Sequence, residues 1–178
     1  MTDSAKQTLS MTVLMTPDMA NFSGNVHGGT ILKFLDQVAY ACASRYARAY
    51  VVTLSVDRVV FREPIHVGEL VTFCASVNYT GRTSMEVGIR VETENIQRGD
   101  TRHTNSCYFT MVAVDDAGAP LELPPLTPTS ELGRQRFQAA ERRRELRRET
   151  ERRESEIQRG TENVPLTDRR ADSEVEAN

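Results

Sequence analysis

The sequence predicts an α+β fold in which an antiparallel β-sheet wraps around one central α-helix, followed by a charged C-terminal helix. First, a single segment with helical spacing of apolar residues lies among five strand-like segments. Second, the turns between the last four of these segments are too short for the crossovers that parallel strands need, so antiparallel hairpins are expected between them. Third, residues 131–178 hold 12 of the 22 Lys and Arg and 12 of the 25 Asp and Glu, so half of that segment is charged. The observations together favour an α+β domain with an appended helix.

The elements follow in a clear order along the chain. Apolar and β-branched runs bounded by Gly, Pro, Asn and Asp predict strands at 9–15, 51–61, 69–79, 84–95 and 102–115. The helix is predicted from Thr30 to about Arg48, because apolar residues recur there at helical spacing, namely Ile31, Leu35, Val38 and Cys42. Val59 and Phe61 extend the apolar pattern of the second strand, which suggests that both sheet faces are covered there and favours an oligomer.

The predicted domain organisation has four parts. Residues 1–8 are expected to be a flexible N-terminus, residues 9–128 the α+β domain, residues 129–160 a helix rich in Arg and Glu, and residues 161–178 a disordered tail. Prolines at 120, 124, 125 and 128 predict an extended connector before the charged helix. Because glutamates match the arginines of this helix and no aromatics interleave with them, a solvated surface is favoured over RNA binding.

Composition narrows the class of protein further. The net charge is −3 and the pI is about 5.7, which gives no reason to expect nucleic acid as a partner. The sequence contains no apolar run of membrane-spanning length and no signal-peptide pattern, so we expect a cytoplasmic protein without membrane insertion. The odd number of cysteines favours reduced core thiols, and the three histidines lack the spacing of metal ligands.

The stretch "NFSGNVHGGTILKFLDQ", residues 21–37, has the character of an active-site segment. Gly28 and Gly29 bring backbone N–H groups close to a ligand at a helix start, where these groups lack internal partners. Such N–H groups can stabilise the negative oxygen that forms when a carbonyl is attacked. The alternative is that the two glycines only form a tight loop.

Four polar side chains of the same stretch are candidates for chemistry. Asp36 falls at the edge of the apolar stripe of the helix, where a half-buried carboxylate with hydrogen-bonded support would suit a general base or nucleophile. It could instead cap a neighbouring element or form an ion pair. Asn21 and Asn25 could orient water or a carbonyl, or could serve as turn residues. His27 could be a base or a loop hydrogen-bonding residue, since no Ser or Cys is placed as its nucleophile.

Three segments carry a family resemblance: "ANFSGNVHGGTILKFLDQVAYACASRYA", "VDRVVFREPIHVGE" and "NYTGRTSMEVGIRVETEN". They resemble the acyl-CoA thioesterases of the hotdog superfamily, in the branch of bacterial and cytosolic acyl-CoA hydrolases, and the resemblance runs from about Thr12 to Val114. It implies a hotdog fold, a dimer with a continuous sheet, and commonly a trimer of dimers, that is, a homohexamer. It also implies hydrolysis of fatty acyl-CoA to free acid and CoA, in fatty acid metabolism, without a metal or organic cofactor.

The resemblance also assigns residues. It implies that Asn21 and Asp36, from opposite subunits, form the catalytic pair, with Gly28 and Gly29 as backbone donors. Asn25 is the alternate amide and His27 a further candidate. It leaves open whether Asp36 acts as general base or as nucleophile. The turn "TGRTSMEV" is expected to contact CoA phosphate or pantetheine through Gly81, Arg82, Thr83 and Ser84, although a plain hairpin turn is the alternative.

Arg58 and Arg62 are additional candidates for phosphate contact. Two other functions remain beside acyl-CoA hydrolysis: a thioesterase for acyl carrier protein or aromatic thioesters, and a non-catalytic protein that binds acyl-CoA. A hydratase is disfavoured, because His27 precedes Asp36 in the wrong arrangement. Acyl-chain preference and the role of the helix beyond Glu131 do not follow from the sequence.

Overall fold

The computed structural model describes residues 7–162, with side chains through residue 159. The expected flexible N-terminus and disordered tail therefore fall outside the described residues, except at their inner ends. There, Thr8 begins the first strand and the last helix continues to Glu162. The chain forms two compact units that divide after Phe137.

The first unit contains a five-stranded antiparallel sheet and one long helix. In chain order the elements are β1 (Thr8–Leu14), a 3₁₀ turn (Pro17–Met19), α1 (Gly28–Ala47), β2 (Tyr50–Val56), β3 (Leu70–Thr80), β4 (Ser84–Asn95), β5 (Asp100–Val114) and the start of α2 (Glu131–Glu162). The strand order is β1-β3-β4-β5-β2, with all neighbours antiparallel. The predicted fold is confirmed.

Helix α1 is the centre of the unit. Its buried face consists of Ile31, Leu35, Val38, Ala39, Cys42 and Ala43. It lies in contact with all five strands, so the sheet wraps around it as the hotdog architecture requires. Burying this stripe against Phe73, Val87 and Phe109 of the sheet removes apolar surface from water, which is the main force that joins helix and sheet. The helix ends at Arg48, whose φ of 57° breaks the helical path.

The hairpin that the sequence predicts between β2 and β3 is wrong, because β2 pairs with β5 at one edge of the sheet whereas β3 lies next to the other edge. The connection between β2 and β3 therefore crosses the unit. We call residues 57–69 the crossing segment. The predicted strand 51–61 was therefore too long: β2 ends at Val56, and only Asp57 N adds a further bond, to Tyr108 O. The apolar pattern continues past Val56 because Val59 packs against the core as part of the crossing segment.

The edge strand β2 carries several exposed apolar side chains. Tyr50 is 61 % exposed and Leu54 67 %, and Val52 and Val56 on the same strand are also exposed. An edge strand of this kind can pair with a second sheet.

Helix α2 begins where Ser130 Oγ accepts a hydrogen bond from Gly133 N, so Ser130 caps the start of the helix. In the second compact unit, Glu149 pairs with Arg152 and Arg153 along the helix surface. Such exposed pairs contribute little stability each. Among the described residues, no helix has the length and apolar character required to cross a membrane.

Candidate active site

Asn21 organises residues 20–27, the loop that precedes α1, which we call the Asn21 loop. Its Oδ1 accepts hydrogen bonds from the backbone N–H groups of Ser23 and Asn25, at 2.9 and 3.2 Å. Its own backbone N donates to Asn25 O, and Gly24, with φ of 79°, closes the turn. The side-chain oxygen therefore fixes the loop, whereas the NH₂ group of Asn21 makes no hydrogen bond within residues 7–162.

Asn25 and His27 both serve the loop in this structure. Asn25 forms an isolated backbone bridge with His66 of the crossing segment. His27 is the N-cap of α1: its Nδ1 accepts a hydrogen bond from Gly29 N at 2.9 Å, and its backbone N donates to Met19 O. This geometry requires that Nδ1 carry no proton. His27 therefore has the hydrogen-bonding role that the sequence left as one alternative.

The two glycines lie inside the first turn of α1, which begins two residues earlier than predicted. Gly29 N–H is occupied by His27, so it does not point freely at a ligand in the single chain. Gly28 N–H makes no hydrogen bond within the described part of the chain. A Cβ atom at Gly28 would lie 3.8 Å from the Phe61 ring, so this glycine adjoins the crossing segment. The geometry thus offers Gly28 N–H as the available backbone donor of the pair.

Asp36 is held from the neighbouring strand. Thr53 Oγ1, on β2, donates a hydrogen bond of 2.7 Å to Asp36 Oδ1. The carboxylate thus has the support that we expected, but it is exposed rather than half-buried, because it lies beside the edge strand of the sheet. It borders an open depression of about 320 Å³, whose lining residues are Asp36, Gln37, Tyr40, Tyr50, Val51, Val52 and Thr53.

Thr53 was missed by the sequence analysis. Threonine is common in strands, and nothing in "VVTLSV" distinguishes this hydroxyl from a β-former on a sheet surface. Its partner becomes visible only when β2 is placed beside α1 in space.

The predicted CoA-binding residues form the turn between β3 and β4. Gly81 N donates to Ser84 O at 2.7 Å and closes the turn, while Arg82 is exposed and lies 3.9 Å from Glu122. Within residues 7–162 no hydrogen bond joins this turn, the Asn21 loop and Asp36 to one another. One chain therefore presents three separate parts of the predicted site.

Two of the three cysteines are core residues, as the sequence predicts, whereas Cys74 on β3 is only partly buried. Cys42 and Cys107 are free and buried, and burial raises the pKa of each thiol to about 12. Both thiols are thus protonated and unreactive at neutral pH.

Comparison with known proteins gives a consistent set of similarities. The family model described as "Thioesterase superfamily" matches residues 23–99. Protein VdlD of Helicobacter pylori is 50 % identical over 146 residues, which cover 82 % of this chain and 83 % of that protein. An apo-hexameric acyl-CoA thioesterase of known structure is 34 % identical, with a TM-score of 0.79, over 82 % of this chain and 94 % of that one.

An acyl-CoA hydrolase from Staphylococcus aureus is similar as well. Its structure in complex with butyryl-CoA, CoA and CoA disulfide superposes with a TM-score of 0.80 and 29 % identity, over 90 % of this chain and 97 % of that one. Three further structures of that hydrolase replace an Asn, an Asp and a Thr with Ala. The intervals between its three altered positions equal the intervals from Asn21 to Asp36 and from Asp36 to Thr53 in this chain.

Proposed function

The chain belongs to the acyl-CoA thioesterases of the hotdog thioesterase superfamily, and from this premise we propose that it hydrolyses fatty acyl-CoA to free acid and CoA at Asp36. The observation that carries the proposal is the Thr53–Asp36 hydrogen bond on the wall of the open depression. The equal intervals to the altered positions of the Staphylococcus hydrolase support the same assignment.

The chemistry begins with Asp36. As a general base its carboxylate takes a proton from water, and the water oxygen attacks the thioester carbon. The hydroxyl of Thr53 holds the carboxylate in one orientation, so that the second oxygen faces the water. The carbonyl oxygen becomes negative and is stabilised by the Gly28 N–H. The C–S bond then breaks, and the CoA sulfur leaves with a proton returned from Asp36.

Asn21 supplies the amide of the site from the other subunit. The Oδ1 atom of Asn21 accepts two backbone hydrogen bonds and so fixes the side chain in its loop. The NH₂ group of the same side chain therefore has a defined direction, as a donor that positions a substrate requires. The exposed apolar residues of β2, of which Tyr50 and Val52 line the depression, provide the surface on which a second chain can pack. We therefore place the Asn21 loop of one subunit over Asp36 of its partner, in a dimer that assembles further into a hexamer. The hexameric thioesterase that resembles this chain supports this assembly.

Arg82 is the cation that we assign to the CoA phosphates, with Gly81, Thr83 and Ser84 around it. Arg82 is exposed, and its pairing with Glu122 is long and solvated, so a phosphate can replace Glu122 at low cost. Arg58 and Arg62 are exposed on the crossing segment and are further candidates for the same role.

The proposal is tested by thiol release from acetyl-, butyryl-, octanoyl- and palmitoyl-CoA. The wild type should release CoA from at least one of them, and Asp36→Asn should lower kcat about a hundredfold or more. Asp116→Asn is the matched control, because Asp116 is exposed in the turn after β5. Both variants must retain the oligomeric state of the wild type.

Two results would contradict the proposal. An Asp36→Asn variant with kcat within about threefold of the wild type would remove the catalytic role of Asp36. A wild type that cleaves an acyl carrier protein or aromatic thioester but no acyl-CoA would show that the assigned substrate class is wrong.

A further inference from the structure

The crossing segment, residues 57–69, is bound directly to the loop that carries the catalytic amide. Val26 N donates to Ile65 O at 2.8 Å, and Asn25 forms a backbone bridge with His66. The Phe61 ring also lies against Gly28, at the start of α1. The position of the Asn21 loop therefore depends on the position of the crossing segment.

Strand β5 holds the crossing segment through two side chains. Arg102 donates from Nη2 to Pro64 O at 2.8 Å, and its Nε lies 3.1 Å from Glu63. Asn105, which is 3 % exposed, donates from Nδ2 to Val60 O at 3.1 Å. These bonds replace the strand pairing that the segment loses after Asp57.

The end of the crossing segment completes the clamp. Both oxygens of Glu69 accept hydrogen bonds of 2.8 Å from Arg102, and Oε2 also accepts one from His66 N at 2.8 Å. The side chain of Glu69 is 4 % exposed and that of Arg102 is 22 % exposed. Burying such a charged pair costs desolvation energy, and apolar residues of similar volume often give equal stability. The pair therefore contributes mainly by fixing the geometry of the crossing segment, because its two hydrogen bonds hold Arg102 and Glu69 in one orientation.

Arg102 therefore bonds to three residues of the crossing segment, Glu63, Pro64 and Glu69, and to none of the residues that we assign to the reaction. Its influence on the site must pass through the contacts of the crossing segment with the Asn21 loop and the start of α1. These contacts are the Val26–Ile65 bond, the Asn25–His66 bridge and the packing of Phe61 against Gly28. A displacement of about 1 Å in a group that positions the reactants can cost a hundredfold in rate.

We propose that Arg102 and Asn105 are positioning residues, which hold the crossing segment and through it set the place of the Asn21 loop over the thioester. The inference rests on the proposed function for its effect on rate. Its structural part, the dependence of the loop on Arg102, can be measured without substrate.

The test compares Arg102→Ala and Arg102→Lys with the wild type in steady-state hydrolysis and in amide hydrogen exchange. Arg102→Ala should lower kcat about tenfold or more, because the Asn21 loop is displaced. Its KM for acyl-CoA should change less than about twofold, because Arg82, the assigned phosphate contact, lies in the turn between β3 and β4 and not on the crossing segment. Lysine keeps the charge but cannot bond both oxygens of Glu69 and Pro64 O in one plane, so Arg102→Lys should recover only part of the loss.

Hydrogen exchange separates positioning from general stability. In Arg102→Ala the amides of Val26 and His27 should exchange about tenfold faster, while those of the central strands β3 and β4 keep wild-type protection. Arg90→Ala is the matched control, because Arg90 on β4 also pairs with a carboxylate, that of Glu92 on the same strand, at 2.8 Å. It makes no bond to the crossing segment and should change neither kcat nor the exchange of the loop.

The outcomes are distinct. Unchanged kcat together with unchanged exchange at Val26 and His27 would overturn the positioning role. Faster exchange across the entire sheet would also overturn it, because Arg102 would then serve stability alone. If Arg102→Ala does not fold, Glu69→Gln gives the same comparison with almost no change in volume. If the wild type hydrolyses no acyl-CoA, the proposed function fails, and the exchange experiment still decides whether Arg102 holds the loop.

Discussion

Replacement of Thr53 by Val is the perturbation that most sharply probes the candidate site. Valine has nearly the same shape as threonine and suits the strand, but it lacks the hydroxyl that donates a hydrogen bond of 2.7 Å to Asp36 Oδ1. Hydrogen bonds to charged groups contribute about 1.5–3 kcal/mol, and the exposure of this pair in the single chain favours the lower end. A loss of about 1.5 kcal/mol in transition-state stabilisation corresponds to a decrease of about tenfold in kcat/KM.

The assay is thiol release from the best substrate of the wild type. Thr53→Ser is the control, because it keeps the hydroxyl and should stay within about threefold of the wild type. If Thr53→Val hydrolyses the substrate at the wild-type rate, the hydrogen bond does not position Asp36 for catalysis. If Thr53→Ser is as impaired as Thr53→Val, the hydroxyl alone does not account for the loss, and the hydrogen bond is not sufficient to position Asp36.

Three further perturbations test the packing, the clamp and the CoA contact. Gly88→Ala should lower the free energy of unfolding by about 1–3 kcal/mol in urea denaturation, because the added Cβ would overlap Asn78 Nδ2 inside the sheet; equal stability would contradict this packing. Burial opposes ionisation of Glu69, but hydrogen bonds from Arg102 and a backbone N–H outweigh it and hold the pKa of Glu69 below 4.5. The stabilising charge of Glu69 is therefore present at neutral pH and is lost as the pH falls below 4.5 through the lowered pKa. Glu69→Gln should thus be less stable than the wild type at pH 7, and the stability of the two proteins should converge in acid. A difference in the free energy of unfolding that does not depend on pH would refute this. Arg82→Ala should raise KM for acyl-CoA several-fold but leave KM for an acyl-pantetheine without phosphates unchanged, and an equal rise for both would remove the phosphate contact.

The central helix and the sheet could be predicted from the sequence because each follows a strong local pattern. The stripe formed by Ile31, Leu35, Val38 and Cys42 has the period of a helix, and the short turns after β3 and after β4 allow only antiparallel pairing. The crossing segment has no such period. Its apolar residues continue the pattern of β2 through Phe61, so the sequence predicts a longer strand there. In the structure, side chains of β5 hold this segment, and the backbone hydrogen bonds of the strand pair with β5 are absent from it after Asp57.

The candidate site was only partly accessible from sequence for a similar reason. Asp36 was identified because a carboxylate at the edge of an apolar stripe is unusual, whereas Thr53 is an ordinary strand residue until its partner is known. The use of Gly29 N–H by His27 depends on the rotamer of the histidine ring at the helix start. Long-range pairs such as Arg102 with Glu69 leave no local pattern, because each partner is one of many charged residues in the chain.

The most direct test of the account is a subunit-mixing experiment with Asn21→Ala and Asp36→Asn. Each variant alone should be nearly inactive in thiol release from acyl-CoA, because every site in its oligomer lacks one member of the pair. If the two residues act across the dimer, random reassembly of equal amounts should restore about a quarter of the wild-type activity, since half of the dimers are mixed and each mixed dimer has one complete site. Mixed protein that exchanges subunits but stays inactive would contradict the shared site, and full activity of either variant alone would contradict the catalytic pair.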